Sequence, residues 1–130
     1  MELRKVILVM GMDIMTQEKF RQAGHKLVSV NKENGGSFLR DLILDRKENL
    51  KPSEDLPNEK VMVLSGYDED ELREFVIALR SIRKEIRPML AVVTESSYNW
   101  PFEYLVSEHL VKDREEMRKY EEERRKNGNN

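Results

Sequence analysis

The sequence predicts an α/β fold: a small open parallel sheet of four strands in the order 2-1-3-4, flanked by helices and followed by a long C-terminal helix. Three observations carry this expectation. Val61 to Leu64 is an apolar run that ends in Ser65-Gly66 and opens into a charged, periodic segment at Asp68. Met89 to Val93 repeats the pattern, ending in Thr94 and reaching a second charged helix through Asn99-Trp100-Pro101. Val6 to Met10, closed by Gly11, is a third such run. Runs that are apolar throughout rather than alternating suit strands covered on both faces, as in parallel sheets. Strands that alternate with helical periodicity connect through right-handed crossovers.

In chain order, Val6 to Met10 is the first strand. Asp13 or Thr16 caps a helix carrying Phe20 and Ala23, with Gly24 at its C-cap. Leu27 to Val30 is a shorter second strand. Asn31 to Gly36 is turn-rich, and Ser37 caps a second helix whose Phe38, Leu39, Leu42 and Ile43 recur at helical spacing. Asp45 to Lys60, polar and holding Pro52 and Pro57, is a long loop. Val61 to Leu64 is the third strand. Asp68 and Glu71 form a capping box for a helix running to about Lys84, with Arg80, Arg83 and Lys84 favourably placed at its C-terminal end. Met89 to Val93 is the fourth strand. Asn99 or Trp100 caps the last helix, with Pro101 in its first turn. Residues 1–112 form one domain; 113–130 form a projecting charged helix with a frayed tail. No sequence repeat of fixed period appears, only the repeated strand-turn-helix unit.

The 130 residues suffice for one domain with its own core. No cysteine is present, which removes disulfides, thiolate zinc sites and cysteine nucleophiles and fits a reducing cytoplasm. No apolar run approaches membrane-spanning length. The net charge of -2 and the mixed signs of the charged residues give no overall basic footprint for nucleic acid. The cluster Arg80, Arg83, Lys84, Arg87 lacks the interleaved aromatics of a base-stacking surface.

The chemistry-bearing residues form no catalytic constellation, so the reading leans away from an enzyme. Asn34-Gly35-Gly36-Ser37 lacks the lysine and spacing of a phosphate-binding P-loop and reads as a turn. Asp41 and Asp45 share one helix face as solvated carboxylates, without a third ligand for a metal. His25 stands alone. His109 precedes Asp113 by one helical turn, but the second histidine that zinc sites want is absent. Trp100 is either a staple that holds the last helix on the sheet or an exposed anchor for a partner. Phe102, Val106, Leu110, Met117 and Tyr120 trace a broken seam along the last helix, interrupted by Asp113. No cofactor or metal is called for. A phospho-receiver is excluded because the third strand ends in Ser65, and a dinucleotide fold because Gly11-Met12-Asp13 is not its glycine fingerprint.

Val61-Met62-Val63-Leu64-Ser65-Gly66, then Asp70-Glu71-Leu72, Ala91-Val92-Val93-Thr94 and Asn99-Trp100 together resemble a family of small prokaryotic proteins known as domain of unknown function 3783, over about residues 61 to 111. The family pattern often has proline after the threonine, where Glu95 stands here. The resemblance implies a small α/β domain and no reaction; Ser65, Gly66, Thr94, Asn99 and Trp100 match its pattern.

Two functions are open to such a chain. The first is a non-enzymatic interaction or regulatory module in the cytoplasm, with an unidentified protein partner or self-association through the last helix. The second is a small-ligand or nucleotide-related binding domain at the carboxyl ends of strands 1, 3 and 4, where open sheets bind ligands. Its candidate residues are Gly11, Asp13, Ser65, Gly66, Thr94, Asn99 and Trp100.

Overall fold

The computed structural model describes residues 3–128 except Arg83. The sequence expectations for Arg83 and for the last two asparagines lie outside the described residues. Four strands, β1 (Val6–Met10), β2 (Leu27–Ser29), β3 (Val61–Ser65) and β4 (Met89–Val92), form one sheet in the order β2-β1-β3-β4. The helices are α1 (Ile14–Gln22), α2 (Leu39–Ile43), α3 (Glu69–Ile82), α4 (Phe102–Tyr104) and α5 (Lys112–Gly128), with a π-helical stretch, Leu105–Val111, between the last two.

The predicted order holds, but the sheet is mixed rather than parallel. β1 pairs with β2 and β3 with β4 in parallel, while β1 and β3 run antiparallel, Leu8 opposite Val63. The reason is the second helix. It has only five residues, about 7.5 Å at 1.5 Å per residue, too short to carry the chain back along the sheet. Asp45, at φ 54°, follows it closely, and β3 starts at the end of the sheet where β2 stopped. β1 and β3 are buried throughout, so the antiparallel pairing leaves no polar face to reveal it.

The halves repeat one another. Gly11 and Gly66 both hold positive φ after their strands. Asp13 caps α1 by accepting from Thr16 N, and Asp68 caps α3 by accepting from Glu71 N. Phe20 and Phe75 occupy matching places on α1 and α3 and touch each other, ring centroids 4.9 Å apart. α3 has 14 residues against 9 for α1, which lengthens the spacing from there on. After it Val30 matches Val93, Asn34 matches Ser97, and Phe38 matches Pro101, with which it forms an antiparallel bridge. Leu39 N donates to Trp100 O and Phe102 N to Ser37 O across that bridge. The pairs Phe20–Phe75, Leu8–Val63 and Phe38–Pro101 therefore stack along one pseudo-two-fold axis through the sheet. The sequence hides this because the spacing changes midway.

Each face of the sheet carries its own core. Ile7, Val9, Met62 and Leu64 meet Phe20, Phe75 and Leu79 on the α1–α3 side. Leu8, Val61 and Val63 meet Leu39, Leu42, Ile43, Phe102 and Val106 on the other. Phe102 and Val106, two residues of the seam read along the last helix, are thus spent in the core, leaving Met117 and Tyr120 exposed. α5 is exposed at every described side chain and tied back by Arg114, whose two terminal nitrogens hold Glu59 at 2.7 and 3.0 Å.

Candidate functional site

The antiparallel β1–β3 pairing divides the predicted site residues between opposite ends of the sheet. Gly11 and Asp13 follow β1 at one end. At the other, Ser65 ends β3, and Gly66 and Thr94 follow β3 and β4, while Asn99 and Trp100 lie farther on, beside α2.

Each residue of the second group is engaged within the chain. Ser65 is fully buried and its hydroxyl donates to Arg4 O at 2.7 Å. Gly66 lies so close to the β1 approach that a Cβ would sit 2.7 Å from Leu3 O. Thr94 N donates to Ser97 Oγ at 2.8 Å, and Ser97 N returns a bond to Thr94 Oγ1 at 3.1 Å. This Thr94–Ser97 turn closes the end of β4. Asn99 Oδ1 accepts from Arg40 at 2.7 Å. Trp100 stacks on His109, centroids 4.4 Å apart and planes 14° from parallel, and packs against the core. It thereby staples the last helix to the sheet.

At the other end, Asp13 is absorbed by capping, both oxygens accepting from Thr16. Gly11 lines an open polar cavity of about 450 Å³ with Glu59, Lys60, Arg87 and Arg114. The Glu59 carboxyl is held below the usual carboxylate range, chiefly by its hydrogen bond to Arg114. Asp41, expected on a solvated face, is 97 % buried by side-chain packing around it, its relative exposure being 3 %. It accepts from Asn49 and faces Arg46 at 3.7 Å.

Two features escape the sequence reading. One is a cluster beside Gly66. His25 Nδ1 lies 2.6 Å from the Tyr67 hydroxyl. Lys5 sits 4.8 Å from the Tyr67 ring centroid and pairs with Glu71. Burial first, then the Lys5 charge, lower the His25 pKa, and burial with Glu71 pushes Tyr67 up to about 12. Tyr67 therefore keeps its proton, and its hydroxyl and His25 Nδ1 share one hydrogen bond whose direction follows the imidazole tautomer. His25 opens β2 and Tyr67 closes β3, so the two meet only because β1 and β3 are antiparallel, a fact no spacing in the sequence carries.

The other is the free side of β4. A groove of about 550 Å³ runs between this edge strand and α3, floored by Val76, Leu79, Ile86 and Leu90 and rimmed by Arg80 and Arg87. Leu90 and Val92 are 38 % and 45 % exposed. Their N–H and C=O groups point outward, because Met89 N and Val93 N donate inward to Lys60 O and Leu64 O and a strand alternates direction at each residue.

Residues 60–117 match the family described as a domain of unknown function (DUF3783). That stretch holds the second half of the fold, from the start of β3 into α5. No curated protein and no solved structure matches the chain.

Proposed function

We propose that this protein is a non-enzymatic interaction module of the cytoplasm that binds polypeptide at the free edge of β4. The carrying observation is the contrast between the two surfaces. The turns after β3 and β4 are filled by their own hydrogen bonds, whereas the β4 edge presents outward backbone groups that no described residue pairs, beside an apolar groove. Edge strands of that kind are normally covered or blunted, and addition of a further strand is a recurrent mode of recognition. A thermal-shift screen of the full chain with nucleotides, phosphosugars and divalent cations tests the reading. No stabilisation is expected; a shift of several degrees with any of them, lost on Lys60→Glu in the cavity at Gly11, would replace it.

A second reading is supported by the polar cavity at Gly11. Its mixed charges, Glu59 and Glu85 with Lys60, Arg87 and Arg114, suit a small zwitterionic ligand better than a phosphate, and the same screen extended to amino acids tests it.

A further inference from the structure

We infer that the polypeptide taken at the β4 edge is a second copy of this chain, paired antiparallel so that two four-stranded sheets join into one of eight. This rests on the β4 reading above and names its partner.

The pseudo-two-fold supplies an internal comparison. At the opposite edge of the sheet, Ser29 holds the place of Val92, and Asn34 the place of Ser97. Ser29 O points outward, and Asn34 Nδ2 caps it at 3.0 Å. Ser97 is too short for that reach and is turned inward onto Thr94 N. One edge of the sheet is therefore blunted by its own side chain and polar. The matching edge is left uncapped, with Val92 where the other has serine.

The groups on β4 fit a second β4 in one register. With Leu90 opposite Val92 of the second copy, each pair exchanges two backbone hydrogen bonds, and Ala91 falls on the two-fold axis as a non-hydrogen-bonded pair. The exposed Leu90 and Val92 side chains then cover one another on the α3 side. Arg87, two residues before β4, then comes near Glu95, in the turn after β4, of the second copy. Both are exposed, and among the described residues neither forms an ion pair within its own chain. Shifting the register one way sets Val92 against Pro88, which has no N–H. Shifting it the other way sets Leu90 against Thr94, whose N–H is already bound by Ser97. The same rotation sets the α3 helices antiparallel, bringing the acidic first turn, Glu69 to Glu71, toward the basic end of its mate at Arg80 and Lys84. The last helix offers less, since Met117 and Tyr120 are the exposed large apolar side chains among its described residues.

Sedimentation of the full chain from low to high micromolar concentration tests this, with variants that leave the β3 side of β4 untouched. Wild type is expected to dimerise. Val92→Pro removes an outward N–H, and Val92→Lys charges the edge; each is expected to raise the dissociation constant by at least about a hundredfold while keeping a cooperative melt. Arg87→Glu is expected to weaken the dimer about fivefold, with Arg87→Glu/Glu95→Arg restoring it. In this cysteine-free chain, Ala91→Cys is expected to form a disulfide-linked dimer on oxidation, since directly opposed residues at such a pair lie within disulfide reach. A strict monomer overturns the second copy as occupant. A dimer indifferent to Val92→Pro and cross-linked through Met117→Cys rather than Ala91→Cys overturns the β4 register and moves self-association to the last helix. Neither outcome touches the broader interaction reading, which fails instead on small-ligand stabilisation in the thermal-shift screen.

Discussion

At the scale of single residues, His25 gives the fold a pH dependence of definite sign. Its pKa is lower in the folded chain than in the unfolded one. As pH falls through the ordinary histidine value of about 6.5, the unfolded chain therefore binds a proton first, and stability drops. The loss begins above the carboxylate range, where Glu59 and Glu71, also lowered, start to contribute only at more acid pH. Urea melts at pH 7.5 and pH 5.5 are expected to show lower stability at the acid value, and His25→Phe to flatten that difference. Equal stability of the wild type at both values would remove the account. Gly66 is constrained by two effects at once, a φ of 76° and backbone atoms where a Cβ would go. Gly66→Ala is expected to cost about 2 kcal/mol or more in chemical denaturation, and Gly24→Ala less, since Gly24 has open space around it.

At the scale of elements, the two phenylalanines on the axis anchor α1 and α3 to each other as well as to the sheet. Phe20→Ala and Phe75→Ala are each expected to destabilise the fold by about 3–5 kcal/mol; a loss under 1 kcal/mol for either would show that the contact is dispensable. The strands and their order were legible because β1 and β3 are buried on both faces, which forces unbroken apolar runs. The caps of α1 and α3 were legible because Asp13, and Asp68 with Glu71, stand at the spacing the hydrogen bonds need. Those expected of Ser37 and of Asn99 or Trp100 did not form, since Phe38 and Pro101 hold the cap positions of α2 and α4 without a side-chain bond. The direction of β3 was not, for an apolar run reads the same in either sense. The deciding fact was the length of α2, cut short where Asp45, a residue other than glycine, takes a left-handed conformation. That one reversal also scattered the candidate site. Gly11 and Asp13 went to one end, Ser65 and Thr94 to the other, and His25 with Tyr67 came together unannounced. The β4 groove was illegible for a related reason: Leu90 and Val92 belong to a run that looked wholly buried, and only the position of β4 at the edge exposes them.

At the scale of the whole molecule, neither half is complete alone. β1 and β3 share the central ladder, each core draws on both halves, and the Phe38–Pro101 bridge ties α2 to α4. Unfolding is therefore expected to be a single transition by circular dichroism and tryptophan fluorescence alike. Two separated transitions, or non-coincident probes, would contradict the shared cores. The segment from Asp45 to Lys60 has a corresponding role. It adds no strand and little core; what it does is keep one half at high effective concentration beside the other. Cleaved there, the protein would trade a fixed stability for one that depends on dilution. By the same reasoning, a polypeptide carrying only the half that begins with β3 would have to borrow its missing neighbour from another molecule.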